Sequence, residues 1–254
     1  MPEEKYDIRR ELVAVCHRLE EKGFVTAADG NVTARMGNGN ILCTRHGINK
    51  GRVTEDDLIE VTPHGELLTN RHQPSTELKM HLFIYDQRPD VKAVVHAHPV
   101  YATGFATARI PLTDCVLPEI VVGLGSIPLA EYATPSTDEV AVSLSLYIRG
   151  RDAVLLANHG VVTIGGDLWD AYWKMEQVER AAQVTFIAHL LGGEKPLTGK
   201  QIEKLRAAYT ETYGKDIPFT IHDQPGESRR PHIGTGEMDR RFRELLKNIL
   251  QGSQ

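Results

Sequence analysis

The 254-residue sequence is short of basic charge: 29 Lys and Arg stand against 34 Asp and Glu, a formal net charge of −5. A general nucleic-acid binder needs a basic excess, so that class is set aside. Long apolar runs are missing too. A membrane span takes about 20 consecutive apolar residues, and the best stretch, residues 116–130, is broken by Pro118, Glu119 and Pro128. The opening Met1-Pro2-Glu3-Glu4-Lys5 lacks the basic-then-apolar layout of a secretory signal. Cysteine is scarce. Cys16, Cys43 and Cys115 are scattered and odd in number, the pattern of reduced thiols in a cytoplasmic protein rather than a disulfide framework. No internal repeat is visible.

What remains has the composition of an ordinary globular chain, 41% hydrophobic and 25% charged, which sets aside disorder, collagen and coiled coil. The length allows one large domain or two small ones. A chain of this size buries enough apolar surface to fold without disulfide or metal staples. A bound metal would therefore serve chemistry. One count stands out, the 11 histidines.

The apolar pattern predicts a helix over residues 8–20, closed by Gly23. Two hairpins follow, 32–36 with 41–43 and 58–61 with 66–68. Pro74-Ser75-Thr76 opens a helix carrying Leu78, Leu82 and Tyr85 on one face. A buried strand is expected over 91–97, with further apolar segments at 109–116 and 120–124. Ser136-Thr137-Asp138-Glu139 has the form of a capping box for a helix reaching about residue 148. Strands over 153–157 and 161–164 flank a tight turn at Asn158-His159-Gly160. Asp167 caps a long helix to residue 191, and a short helix is expected over 199–209. Residues 215–236 are rich in Pro and Gly and read as a linker or arm. Over 237–254, Met238, Phe242, Leu245, Leu246, Ile249 and Leu250 recur at helical spacing, an amphipathic helix suited to docking. Mixed strands and helices with several hairpins give an α/β or α+β layered domain.

The histidines concentrate at strand ends. Side chains alternate along a strand, so His96 and His98 share a face. A bare His-x-His pair is weak evidence for a metal, and surface or core histidines are the ordinary alternative. His159 sits at the exit of a second buried strand, beside a glycine. Three histidines from two strand ends would leave coordination positions open for substrate. Glu77 would complete the set as a ligand and a proton carrier, although a first-turn glutamate is also favoured simply by the positive helix end. The same helix start offers free N–H groups beside the Ser75 and Thr76 hydroxyls, which suits a phosphate and equally suits plain N-capping.

Five segments in order carry a family resemblance: Ala28-Asp29-Gly30-Asn31-Val32-Thr33, Thr44-Arg45-His46-Gly47, Pro74-Ser75-Thr76-Glu77-Leu78, Val95-His96-Ala97-His98-Pro99 and Asn158-His159-Gly160. Over about residues 7–214 the chain resembles the class II aldolase/adducin family. The resemblance implies one α-β-α three-layer domain, residues 1–214, around a largely antiparallel central sheet. It implies a homotetramer with active sites between subunits, and one divalent metal per subunit, Zn2+ first with Mn2+ or Co2+ as alternatives. The metal ligands fall on His96, His98 and His159, with Glu77 as ligand and base. The substrate phosphate falls on Gly30, Asn31, Gly47, Ser75 and Thr76. A second catalytic group falls on Tyr213, with Tyr209 as its neighbour and rival.

The implied activity is a metal-dependent aldolase, a carbon–carbon lyase. It would cleave a ketose 1-phosphate such as L-fuculose 1-phosphate to dihydroxyacetone phosphate and an aldehyde through a metal-stabilised enediolate. Three departures bear on this. Ala28 and His46 stand where the family's fuculose-phosphate aldolase has threonines, leaving His46, Lys50 or Arg52 to compensate by charge. Cys115 stands near its other catalytic tyrosine. The tail beyond about residue 216 is longer. A family decarboxylase needs less of the threonine shell. A sugar-phosphate 4-epimerase has Asp where this chain has Glu77. An adducin-like interaction module has no need for three histidines and a glutamate together.

Overall fold

The computed structural model describes residues 7–68 and 72–214. The expected arm over 215–236 and helix over 237–254 lie outside the described residues. Helix α1, Ile8–Glu21, forms where expected: Asp7 caps it by accepting from the Arg9 N–H, and Leu12, Val15, Cys16 and Leu19 make its buried face. Strands β1 (Asn31–Arg35) and β2 (Ile41–Thr44) pair antiparallel across the Gly37-Asn38-Gly39 turn. Strand β3 (Leu58–Val61) extends that sheet edge.

Helix α2 is Leu78–Gln87, β4 is Ala93–Ala97, α3 is Val100–Thr107 and α4 is Pro118–Gly123. The two-residue β5 (Leu129–Ala130), α5 (Glu139–Leu144), β6 (Ala153–Leu156), β7 (Gly160–Gly165), α6 (Leu168–Leu190) and α7 (Gly199–Tyr213) complete the order. The seven strands form one sheet, β3-β2-β1-β4-β7-β6-β5. Every pairing is antiparallel except β5 with β6.

Period-two alternation divides the core between the sheet's faces. Val95 and Val161 pack with the buried faces of α1, α3 and α6, whereas Val94, Val162 and Ile164 pack with those of α2 and α5. The result is the expected α-β-α sandwich around a largely antiparallel sheet.

Three local expectations need correction. Residues 66–68 do not form a strand: Leu67 makes one isolated bridge to Val61, and Leu68 stands 50% exposed. Helix α2 starts later than Pro74-Ser75-Thr76 suggests, because Pro74 is held extended by a bridge to Arg45. Glu77 is therefore the N-cap residue rather than part of the first turn. The box at residues 136–139 does not cap a long helix either. Ser136 lies in the left-handed region at φ +66°, and the Glu139 carboxylate reaches back to the Thr134 N–H at 2.9 Å. The helix there ends at Leu144. By contrast α7 outruns its expected end, reaching Tyr213 before Gly214 closes it at φ +64°.

Candidate metal and substrate site

The central pair of strands builds the site. His96 lies on β4 directly opposite Asn31 of β1 and Val162 of β7. Its ring is fully buried, and Nδ1 stands 2.9 Å from the Val161 carbonyl. A carbonyl only accepts, so Nδ1 carries the proton and Nε2 keeps its lone pair. His98 follows the strand, its backbone N–H bonded to the Phe24 carbonyl at 2.8 Å. His159 sits in the short turn between β6 and β7, after Asn158 at φ +55°, a conformation Asn tolerates better than most residues.

Two glycines let these parts close up. A Cβ on Gly160 would lie 2.5 Å from both the Ala97 carbonyl oxygen and His98 Cδ2. A Cβ on Gly30 would lie 2.7 Å from the His96 carbonyl oxygen, at a φ of +70°. Only glycine fits either place without displacing a strand end.

The three rings meet with centroids 4.7 to 5.1 Å apart, and one ligand nitrogen from each lies within 4.8 Å of the others. Nε2 of His98 is 3.0 Å from Nε2 of His96. Glu77 stands over them, its carboxylate 3.1 Å from His159 Nε2 and 3.4 Å from His96 Nε2. Burial raises the Glu77 pKa, while the adjoining His96 and His159 rings, when protonated, hold it well below the usual carboxylate range. Burial, with the charges of His96 and His159, pushes His98 down to about 4.

At neutral pH the site thus offers a neutral His98 imidazole and an ionised carboxylate. The committed Nδ1–H of His96 leaves its Nε2 lone pair turned into the cluster, 3.0 Å from His98 Nε2, where a cation can take it. This donor set fits a divalent ion of borderline softness.

The residues expected to bind an anion lie next to it. Asn31, itself buried, donates from Nδ2 to Ser75 Oγ at 2.8 Å, and Ser75 Oγ accepts from the Glu77 N–H at 3.3 Å. The Arg45–Pro74 bridge and the His46 N–H to Gln73 carbonyl bond bring Gly47's segment, with Gly47 at φ +70°, beside the start of α2. Thr76 is exposed and accepts from the Ser136 hydroxyl at 2.8 Å. Of the residues proposed to replace the threonine shell by charge, His46 is exposed. Lys50 is buried, with Nζ bonded to the Ile48 and Ala28 carbonyls at 2.8 and 3.3 Å. Burial lowers its pKa.

Tyr213 is not brought to the histidines within one chain. It ends α7, 64% exposed, its ring 4.7 Å from that of Tyr209. The Cys115 carbonyl accepts from the Leu197 N–H at 2.8 Å.

Several contributors escaped the sequence reading. Asp29 Oδ2 lies 3.8 Å from His98 Nδ1, held by the Thr26 hydroxyl at 3.0 Å. Glu179 of α6, buried, takes the Tyr101 and Ala102 N–H groups at 3.1 and 2.8 Å and so fixes the helix that begins two residues after His98. His81 is wholly buried one turn beyond Glu77, its Nδ1 2.9 Å from the hydroxyl of Thr33 on β1, a partner too distant in sequence for spacing to announce.

The fold and the histidine corner together describe a known architecture. The model of the Class II Aldolase and Adducin N-terminal domain matches residues 10–186. The chain is 34% identical over 179 residues to the L-fuculose phosphate aldolase of Methanococcus maripaludis strain C7, covering 70% of this chain and 96% of that protein. It is 32% identical over 207 residues to the 3-oxo-tetronate 4-phosphate decarboxylase of Escherichia coli O6:H1, covering 79% and 95%. A solved L-fuculose 1-phosphate aldolase superposes with a TM-score of 0.74 at 30% identity, over 81% of this chain and 97% of that one. The protein belongs to the class II aldolase/adducin family. Among the described residues no helix is long and apolar enough to cross a membrane.

Proposed function

We propose that the protein is a metal-dependent aldolase, a carbon–carbon lyase cleaving a ketose 1-phosphate such as L-fuculose 1-phosphate to dihydroxyacetone phosphate and an aldehyde. The observation that carries this is the ionised Glu77 carboxylate set within 3.1 to 3.4 Å of two of three converging imidazoles. A divalent ion held by His96, His98 and His159, most suitably Zn2+, would supply Lewis-acid stabilisation of the negative charge that develops beside the ketone.

The chain's own groups do the rest. Glu77 takes the proton from the carbon next to the ketone in the synthetic direction and returns it on cleavage. Asn31, Ser75 and Thr76, with the backbone at Gly30 and Gly47, hold the phosphate and so fix where that carbon lies. Tyr213 exchanges the proton of the distal hydroxyl that becomes the aldehyde. Its exposure at the end of α7 fits a contribution to a neighbouring subunit's site. Exposed Val100, Trp173, Ile187 and Leu191 support the same homotetrameric reading. A cytoplasmic location is part of this proposal.

A second reading is a decarboxylase acting on a phosphorylated keto acid. It is favoured by Ala28 and His46, which lack the hydroxyls of the aldolase phosphate shell, and by the decarboxylase relative. A panel of ketose 1-phosphates assayed for dihydroxyacetone phosphate tests the first reading. Silence across the panel, with carbon dioxide released from a phosphorylated 3-keto acid, replaces it with the second.

A further inference from the structure

Beneath the anion-binding residues lies a chain of buried polar groups that the reaction as described does not use. His81 Nδ1 is 2.9 Å from Thr33 Oγ1, and Thr33 Oγ1 is 2.9 Å from Tyr85 OH. All three side chains are buried. The Tyr85 hydroxyl hydrogen needs an acceptor, and Thr33 Oγ1 is the side-chain oxygen it meets. The single Thr33 hydrogen then goes to His81 Nδ1. Donation in that order, the one the proposal takes, puts the His81 proton on Nε2. Burial pushes His81 down to about 3, so the ring stays neutral and the tautomer persists across the working range.

Nε2 of His81 is a fully buried group without a partner, and so is Oδ1 of Asn31. One is a donor and the other an acceptor. Asn31 and Thr33 point to the same side of β1, and Asn31 faces His96 directly across the ladder. Ser75, just before α2, meets Asn31, and His81, within α2, meets Thr33, so both orphaned groups belong to side chains where the start of α2 covers one face of β1. An unpaired buried polar atom costs about 1–3 kcal/mol, and a small polar space with two such groups suits one ordered water.

We propose that His81 is a positioning residue for the substrate anion: its Nε2–H and the Asn31 carbonyl oxygen share one buried water, which turns the Asn31 amide so that Nδ2 faces Ser75 and the anion. Tyr85, Thr33 and His81 hold the far side of that amide, and Ser75 meets the near side. This rests on the phosphate reading given above, and the test separates the two.

The test uses inorganic phosphate and the full-length metal-loaded protein. His81→Phe keeps an aromatic ring of similar size and removes the donor. It is expected to weaken phosphate binding about tenfold, raise KM more than it lowers kcat, and displace the Asn31 side-chain amide signals in 15N NMR, with metal content unchanged. His81→Gln restores an N–H and recovers most of the affinity. If His81→Phe does not fold, the wild-type protein still decides: long-range 1H–15N spectra must show His81 as the Nε2–H tautomer, and Thr33→Val must disturb it. An Nδ1–H tautomer overturns the proposal. So do unchanged phosphate affinity and unchanged Asn31 signals in a folded, metal-loaded His81→Phe protein. A wild-type protein that ignores phosphate while Asn31 still responds to His81→Phe refutes the phosphate reading and leaves the positioning role standing.

Discussion

The histidine corner and the outer rim of the same site are built on different terms. In the corner the histidines are held by strand-end backbone and by close packing. His96 is locked by the Val161 carbonyl, His98 by the Phe24 carbonyl and by the close approach of Gly160, and the rings are set by neighbouring strand ends. On the rim, Thr76 and Ser136 are exposed hydroxyls bonded to each other, and Tyr213 rests on Tyr209 at the surface. The corner is complete in one chain and suits an ion with fixed geometric demands. The rim is open and suits groups that differ from one substrate to another.

The largest effect should come from breaking the corner. His96→Ala is expected to abolish metal binding and activity together while the far-UV circular dichroism stays native, because the two hydrophobic layers do not depend on the ion. Full metal occupancy in that variant would falsify the ligand assignment. Tyr213→Phe probes the rim from the other direction. Metal content should stay normal and turnover fall by about 10² to 10⁴, the usual worth of general acid–base help; an unchanged rate removes Tyr213 from the mechanism. Ser75→Ala should weaken phosphate binding about tenfold through one lost hydrogen bond to a charged group, read as a KM change at nearly constant kcat.

Gly160→Ala measures how tightly the corner is packed. Its Cβ meets backbone and the His98 ring, so a loss of about 1–3 kcal/mol is expected in urea unfolding, together with weaker metal affinity. A stable variant with native metal affinity would mean that the corner yields more easily than its contacts indicate.

The smallest effect concerns pH. His98 folds with its pKa near 4, below the unfolded value of about 6.5. The unfolded chain therefore binds more protons between those values, and stability falls as pH drops through that window. Glu77, also depressed, adds a loss in the same direction below about pH 4.3. The thermal midpoint of the metal-free protein should decline from pH 6.5 to 4; a flat profile contradicts the burial of His98.

The contrast also explains what the sequence disclosed. Alternation along β4 and β7 and the caps at Asp7 and Asp167 are local signals, and those elements formed as expected. His96 and His98 were legible as a pair on one strand face, whereas the joining of His159 to them came from the family resemblance and not from spacing. The delayed start of α2 was not legible, since its cause is a bridge from Pro74 to Arg45, 29 positions earlier in the chain. The misplaced helix start at residues 136–139 has a similar source. Its capping letters are correct, but Ser136 is held left-handed where its hydroxyl meets Thr76 of another element. His81, Glu179 and Asp29 act through partners distant in sequence, and nothing in the spacing alone assigns such roles.

The pairing of His96 with Val162 on one side and Asn31 on the other has a last consequence. A slip of one residue between β4 and its neighbours would send His96 to the opposite face of the sheet, among the apolar side chains of α1 and α6. A chain paired in that register could still be compact and could still show helices and strands, but it would take up no ion. Under the metal reading proposed above, bound metal per chain would serve as a count of correctly assembled sheets. A recombinant preparation with less than one equivalent after reconstitution should be resolved into competent and misregistered molecules before any turnover number is assigned to it.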